Sequence, residues 1–262
     1  ACLEFFRRKY QVFTFDINSS GSEKNIKSLV LKSDIIFICV PTPMSANGVC
    51  NTSNVENVLE EINSFNKKSE CVIKSTIPPG SSSFFSQKFN NINITFNPEF
   101  LTEANFLEDF KNQDRIILGS NNASDVVSKL YKDSFQGVEI IECEFEEAEM
   151  VKYFTNSFLA TKVAFANEFY QLCKEMNINY DNVSKISMID NRLGKSHFSV
   201  PGPDGKLGFG GSCFPKDING IINIFKKYNI NPYVLNSVWE RNITEDRPAQ
   251  EWKKLIGRAI DE

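Results

Sequence analysis

Short apolar runs alternate with amphipathic stretches along the first half of the chain. The apolar runs have the length of strands and occur at residues 11–17, 33–41, 70–76, 93–96, 114–120 and 137–142. The stretches between them have helical spacing, most clearly at 54–65, 81–89 and 123–133. Strands that recur with helices between them predict an α/β domain with a parallel, doubly wound sheet.

The pattern changes near residue 144. Neither proline nor glycine occurs from 144 to 176, and apolar residues such as Phe154, Phe158 and Phe169 recur there at helical spacing, which predicts one long helix. Further helices are predicted at 180–189, 217–228 and 232–245, with a glycine- and proline-rich loop at 194–215. We therefore expect a sheet domain over 1–143, an all-helical domain over 144–245 and a weakly ordered tail over 246–262.

Charge and cysteine usage narrow the classes of function. The balance of 29 Lys+Arg against 33 Asp+Glu, without a basic run, argues against a protein that binds nucleic acid or a membrane surface. The longest apolar run, at 35–40, is too short to cross a bilayer. Seven cysteines without a CxxC motif, beside a single histidine, argue against a metal site and against a disulfide framework. They favour a reducing compartment, so we expect a cytoplasmic protein.

Polar residues follow three predicted strands at the positions where open α/β sheets bind ligands. Asp16 closes the run at 11–17, where an acid accepts hydrogen bonds from a dinucleotide ribose. Pro41 and Thr42 follow the second strand, and Ser75 and Thr76 follow the third. These residues predict a cofactor rim, with a solvated aspartate and ordinary turn chemistry as the alternatives. The glycine-rich loop expected about 20 residues before the acid falls ahead of the sequence, so we expect that loop and the first strand to be missing.

Two pairs of polar residues have a spacing of four. On a helical turn, Glu99 and Glu103 would share one face and could act as a general base on a water, whereas the alternative is two solvated glutamates. Lys152 and Asn156 lie on the predicted long helix and could donate to one oxyanion. The alternative for this second pair is a surface lysine with a nearby amide.

The strongest chemical signal is the decapeptide GFGGSCFPKD at 208–217. A catalytic cysteine needs thiolate character and access, and the glycines around Cys213 let a substrate approach closely. Lys216 could favour the thiolate, and Asp217 could orient a base or close an ion pair. If a helix begins at Asp217, Cys213 lies just ahead of its positive end. The alternative is a glycine-rich turn with an incidental cysteine.

Six features occur in a fixed order along the chain: Asp16, KST at 74–76, NPEFLxE at 97–103, KxxxN at 152–156, NRxG at 191–194 and GFGGSCFPKD at 208–217. Together they resemble the UDP-glucose 6-dehydrogenase family of nucleotide-sugar dehydrogenases, also called the UDP-glucose/GDP-mannose dehydrogenase family, over about residues 1–245. The resemblance implies a Rossmann-like domain followed by a helical dimerisation domain. It also implies an NAD-dependent, four-electron oxidation of a sugar C6 hydroxyl, from UDP-glucose to UDP-glucuronate, through a thiohemiacetal and a thioester on Cys213.

The resemblance implies a role for each matching residue. Lys152 and Asn156 would stabilise the oxyanion, Asp217 would assist proton movement, and Glu103 and Thr76 would hold the hydrolytic water. The implied NAD contacts are Asp16, Pro41, Thr42, Ser75, Thr76, Glu103 and Lys216. The implied contacts to the nucleotide sugar are Glu99, Phe100, Leu101, Lys152, Asn156, Arg192, Phe198, Phe209 and Gly210. Arg192 would reach the sugar nucleotide from a partner subunit, which implies a homodimer through the long helix.

The chain departs from the family pattern in three places. The glycine-rich loop and first strand are missing, the loop between Arg192 and Cys213 is longer than usual, and the C-terminal nucleotide-binding domain is absent. We therefore expect this chain to bind NAD poorly or not at all, and the choice between UDP-glucose, GDP-mannose and other nucleotide sugars stays open. Two competing hypotheses are a two-electron dehydrogenase of the 6-phosphogluconate or β-hydroxyacid type, which needs no cysteine, and an inactive homologue that serves as a binding or dimerisation module.

Overall fold

Five short strands form one sheet in the N-terminal half of the computed structural model, which describes residues 1–18, 21–102, 105–121 and 125–261. The strands lie in the order β1 (Ile35–Ile38), β2 (Ser69–Ile73), β3 (Ile92–Phe96), β4 (Arg115–Gly119) and β5 (Glu139–Cys143). The helices of this half are α1 (Cys2–Phe6), α2 (Ile26–Lys32), α3 (Ser53–Ser64), α4 (Ser81–Lys88), α5 (Phe106–Lys111) and α6 (Asp125–Ser134). Residues 123 and 124, the first two of a predicted helix, lie outside the described residues.

Helices cover both faces of the sheet, as the doubly wound prediction requires. On β2, Cys71 and Ile73 point into the core beneath α2, α3 and α4. Val72, between them, points into the core beneath α1, α5 and α6. Since successive side chains of a strand face opposite sides, a strand covered on both sides reads as a continuous apolar run. The predicted fold class is therefore confirmed.

One strand pairing differs from the all-parallel prediction. The pairs β1–β2, β2–β3 and β4–β5 are parallel, but β3 and β4 are antiparallel and meet through the single pair Phe96 and Gly119. Only the last residues of the two strands meet, so no continuous ladder joins them. The sheet is mixed at this one junction.

The segment 11–17, which the sequence predicts as a strand, has no regular secondary structure. Residues 11–15 and residues of β1 both line a groove of about 460 Å³. Within the segment, Thr14 pairs instead with the following turn, since its carbonyl accepts from Glu23 N at 2.9 Å and its amide donates to Ser22 Oγ at 2.8 Å. A strand needs a neighbouring strand for its backbone N–H and C=O groups, and none of the described strands pairs with this segment.

Helices dominate the second half. The predicted long helix is α7 (Phe145–Glu175), followed by α8 (Tyr180–Ser187), α9 (Cys213–Lys227) and α10 (Tyr233–Arg241). Short 3₁₀ turns occupy Asn191–Leu193 and Glu251–Lys254, and a π-helical turn occupies Asn242–Asp246. None of the helices among the described residues has the length and hydrophobicity needed to span a bilayer.

The chain forms two compact units whose boundary lies within α7. Residues 1–42 and 52–152 form the sheet unit, and residues 43–51 and 153–262 form the helical unit. The boundary lies after residue 152 rather than at 143, where the sequence pattern changes, because about the first two turns of α7 belong to the sheet unit. Phe145 and Ala148 are buried in the core of the sheet unit.

The tail, predicted to be weakly ordered, is instead an integral part of the helical unit. Trp252 is fully buried, with its ring centroid 5.6 Å from that of Trp239, and it packs beside Met44 and Ala259. Met44 also pairs with the tail through its backbone, donating to Ala259 O at 2.9 Å. The tail has few apolar residues and they lack a helical period, so the sequence did not predict an ordered segment. Burial of Trp252 nevertheless removes a large apolar surface from water and stabilises the tail.

Candidate active site

Cys213 is exposed and is the first residue of α9. The helix therefore begins at Cys213, whereas the sequence suggested a start four residues later. Pro215 explains the difference, since proline is tolerated in the first helical turn, where its missing N–H would have no intrahelical partner. The thiol lies at the positive end of a 15-residue helix.

A buried carboxylate connects α9 to α7. Asp217 is 1% exposed and accepts hydrogen bonds from Asn156 Nδ2 at 2.5 Å and from Lys216 Nζ at 2.5 Å. Burial lowers the pKa of Lys216, but the charge and hydrogen bond of Asp217, together with Cys50 and Cys213, outweigh burial, and the net pKa is raised. Lys216 is thus held as a cation beside Asp217, and an amide of α7 is held in place by the same carboxylate. The structure brings three predicted site residues together here.

Lys152 lies one helical turn before Asn156 on α7 and is also buried. Its Nζ donates to the Glu99 carbonyl and lies 5.3 Å from the centroid of the Phe100 ring. Glu99 belongs to an irregular segment, so the helical spacing that predicted a shared face with Glu103 does not apply to it. Glu103 itself lies outside the described residues. Leu101, the third predicted contact of this segment, packs against the core beneath α1, α5 and α6.

The predicted cofactor rim lies at the carboxyl ends of β1 and β2. Thr42 Oγ1 donates to Thr76 O at 2.7 Å, and Ser75 Oγ donates to Val40 O at 2.6 Å. Pro41 is exposed on the same loop. Because neighbouring parallel strands end at one edge, the structure brings these residues together as the sequence predicted.

Asp16 lies at the end of the irregular segment that begins at residue 11. Its side chain is exposed, and Oδ1 accepts from Asn18 N at 2.7 Å. An exposed carboxylate retains acceptor sites for ribose hydroxyls. The side chain fits the predicted role, although the segment that carries it is not a strand.

The predicted contacts to the nucleotide sugar in the helical unit differ in exposure. Arg192 lies in the 3₁₀ turn Asn191–Leu193, is 88% exposed and forms a bidentate pair with Asp190. Phe198 is half-buried, with Lys162 Nζ 4.5 Å from its ring centroid. Phe209 is 3% exposed and packs against Phe214 and Trp239.

Gly210 has a neighbour that the sequence did not indicate. A Cβ added at this position would collide with Arg247 Nη1, so the missing side chain makes room for an arginine of the tail. The predicted purpose of this glycine was the approach of a sugar. The side of Gly210 where a side chain would project is occupied by the protein itself.

Glu149 is a functional candidate that sequence reasoning missed. It is fully buried on α7, one turn before Lys152, and accepts from Gly80 N at 2.6 Å and from Ser82 N at 2.8 Å, at the start of α4. Burial raises its pKa to about 7, although these hydrogen bonds act in the opposite direction. A signal was present, since positions 149, 152 and 156 share one helical face and all three are polar.

No group of three or more His, Cys, Asp and Glu side chains that could hold a metal ion occurs among the described residues. The groups that the helical unit presents are the thiol of Cys213, the amine of Lys216, the amide of Asn156 and the carboxylate of Asp217. These groups suit the addition of a nucleophile to a carbonyl and the stabilisation of the resulting charge.

Models of two domains of one family match most of the chain. The NAD binding domain of the UDP-glucose/GDP-mannose dehydrogenase family matches residues 16–135, and the central domain of the same family matches residues 146–244. A UDP-glucose 6-dehydrogenase of Rickettsia bellii is 39% identical over 238 residues, which cover 88% of this chain and 53% of that protein. A UDP-glucose 6-dehydrogenase of Campylobacter jejuni is 34% identical over 237 residues, covering 88% of this chain and 58% of that protein. The chain thus spans about half the length of these relatives.

Solved structures show the same similarity. A UDP-glucose dehydrogenase from the archaeon Pyrobaculum islandicum superposes with a TM-score of 0.75 at 30% identity, over 83% of this chain and 52% of that one. A GDP-mannose dehydrogenase from Pseudomonas aeruginosa superposes with a TM-score of 0.61 at 27% identity, over 88% of this chain and 54% of that one.

Proposed function

Because the chain belongs to the UDP-glucose/GDP-mannose dehydrogenase family, we propose that it oxidises the C6 hydroxyl of a nucleotide sugar, UDP-glucose, to a carboxylate. The observation that carries this proposal is an exposed cysteine at the start of α9, four residues before a buried Asp217 that is bonded to Asn156 and Lys216. A two-electron alcohol dehydrogenase has no use for such a thiol, whereas a four-electron oxidation does.

The thiol divides the second oxidation into two easier steps. The sulfur of Cys213 adds to the C6 aldehyde, and the carbonyl oxygen takes a proton to give a thiohemiacetal. Loss of a hydride from that carbon and of the proton from its hydroxyl gives a thioester on Cys213. Water then attacks the thioester carbonyl, and the C–S bond breaks to release the carboxylate and regenerate the thiol.

Two donors on α7 support the charged stages of this sequence. Lys152 and Asn156 lie one turn apart, and both are buried, so their N–H groups are fixed before the reaction begins. Fixed donors that face a developing oxyanion lower the barrier without reorganisation. Asp217, which already accepts from Asn156 and Lys216, is the group that we assign to proton movement.

The rim of the sheet unit fits an NAD molecule, which would accept the hydride in each oxidation. Thr42, Ser75 and Thr76 offer polar groups at the carboxyl ends of β1 and β2, where dinucleotides bind in such sheets. The exposed Asp16 carboxylate would hold the ribose hydroxyls. Pro41 would border the same site, and Glu103 and Lys216 remain predicted contacts.

A second copy of the chain is the partner that we propose for α7. Its exposed apolar residues recur at helical spacing along one stripe and comprise Phe154, Phe158, Phe165, Phe169, Leu172 and Met176. The rings of Phe165 and Phe169 lie 4.6 Å apart on that stripe. A contiguous exposed apolar patch of this kind is typical of an interface. In such a dimer the exposed Arg192 would serve the site of the partner subunit.

The test supplies UDP-glucose and NAD to the protein and to a Cys213→Ser variant, and quantifies UDP-glucuronate and NADH by chromatography. NAD is supplied in large excess, since we expect this chain to bind it weakly. We expect two NADH for each UDP-glucuronate that the parent forms and no acid from the variant. Cys143→Ser, which removes a half-buried thiol from β5, serves as the control and should match the parent. UDP-glucuronate formed by Cys213→Ser at the parent rate would rule out the thioester. In a parallel assay with GDP-mannose, acid formed from GDP-mannose and not from UDP-glucose would reassign the substrate.

A further inference from the structure

The segment that follows α10, from Asn242 to Arg247, contacts the loop that leads into Cys213. Asn242 opens the π-helical turn Asn242–Asp246 and is completely buried. Its Oδ1 accepts from Phe209 N at 2.9 Å, and its Nδ2 donates to Phe209 O at 3.0 Å. One side chain thus satisfies both backbone groups of Phe209, as a neighbouring strand would.

Arg247 makes a second set of bonds to the same loop. It is 4% exposed, and its Nε donates to Leu207 O at 2.8 Å. Nη2 donates to Asp204 at 2.5 Å, and Nη1 donates to Glu251 at 3.0 Å. The planar guanidinium therefore contacts the loop at two points and its own tail at a third, which a single ammonium could not do with the same geometry.

The long helix holds the loop from another direction. Asn167 of α7 accepts from Gly208 N at 3.2 Å, and its own Nδ2 donates to Val163 O at 2.8 Å. Gly208 and Gly210 leave space for side chains of the segment that follows α10. A Cβ at Gly208 would collide with Asn242 Oδ1, and one at Gly210 would collide with Arg247 Nη1.

Burying these polar side chains has a larger desolvation cost in free energy than burying apolar side chains would have. Asn167, Asn242 and Arg247 are all at least nine-tenths buried, and each must give up its water to make these bonds. Buried polar groups that meet a backbone at fixed points define its path more sharply than apolar contacts do. The last residue that they contact is Gly210, three residues before the cysteine.

We propose that Asn242 and Arg247 are positioning residues for Cys213. They fix the backbone of 207–210 and thereby the place and orientation in which the thiol is presented at the start of α9. The proposal rests on the proposed function only in naming Cys213 as the nucleophile.

The test uses the conservative variants Arg247→Lys and Asn242→Asp in the full chain. Lysine keeps the charge but loses the planar fork, and aspartate keeps the shape but loses the donor to Phe209 O. Arg258→Lys changes an exposed arginine of the same tail and serves as the matched control. Two quantities are measured in native buffer. The first is the rate of hydrogen exchange at the amides of Gly208 and Phe209. The second is the rate at which iodoacetamide alkylates Cys213, measured by peptide mass spectrometry.

A released loop should open more often and let the thiol sample orientations that are now excluded. We expect exchange at the two amides to quicken about tenfold and alkylation of Cys213 about threefold in both variants, with Arg258→Lys unchanged. Faster exchange with an unchanged alkylation rate would make the contacts purely structural and overturn the proposal. Unchanged values for both quantities would do the same. Alkylation needs no nucleotide sugar, so failure of the proposed dehydrogenase activity would leave this result standing.

Discussion

The stability of the sheet unit should depend on pH through one buried carboxylate, and Glu149→Gln is the change that reveals it. Glu149 is fully buried and accepts two backbone amides at the start of α4. Burial raises its pKa from an ordinary value of 4.5 to about 7. Glutamine has the same shape and keeps one acceptor, but it cannot ionise.

The size and sign of the effect follow from that pKa. The pKa of Glu149 rises from 4.5 to about 7, and this shift corresponds to about 3 kcal/mol at ~1.36 kcal/mol for each pKa unit. Between about pH 4.5 and about pH 7 the unfolded chain has lost the proton that the folded chain retains. The free energy of unfolding of the parent should therefore fall as pH rises through this window and level off above it. The glutamine variant should lack this component.

The assay compares the parent and Glu149→Gln by hydrogen exchange at the amides of Gly80 and Ser82, at pH values from 4.5 to 7.5. The difference in opening free energy between the two proteins, taken at each pH, removes the contribution of other titrating groups. Glu61→Gln, which replaces an exposed glutamate of α3 in the same unit, is the matched control. A difference that stays constant over the whole range would show that Glu149 ionises as an ordinary carboxyl and that its two amide donors outweigh burial.

Three further substitutions test the helical unit. Trp252→Ala should cost about 3–5 kcal/mol because it leaves a cavity beneath the tail, and urea denaturation measures the loss; a change under about 1 kcal/mol would contradict the packing. Asp217→Ala should destabilise the protein by about 3–5 kcal/mol, since it leaves the Lys216 cation nearly buried without its carboxylate, whereas Asp217→Asn should cost less in the same denaturation assay. Gly208→Ala should lower the melting temperature more than Gly205→Ala. Both glycines have a positive φ, at 62° and 74°, but only a Cβ at Gly208 would collide with a neighbouring side chain. Equal losses in melting temperature would refute the close approach at Gly208.

Much of the architecture could be predicted from local pattern. Strands such as β2 are covered on both faces and read as apolar runs, and α7 reads as a long stretch without proline or glycine. The region of Cys213 was recognisable because glycines and charges beside a cysteine are unusual in one short stretch. Lys152 and Asn156 were recognisable as a pair because helical spacing alone places them one turn apart.

The sequence by itself determined the order of the elements and the residue types of the site, because periodicity and short motifs report what each segment can bury or donate. Only the tertiary structure decided which distant segments meet. The apolar run at 11–17 does not form a strand, and none of the strands that the structure describes pairs with it. The tail is ordered because Trp252 is buried in a core and Arg247 binds a loop about 40 residues earlier, where it donates to Leu207 O. Contacts of that range depend on how the chain closes on itself, and no local pattern records them.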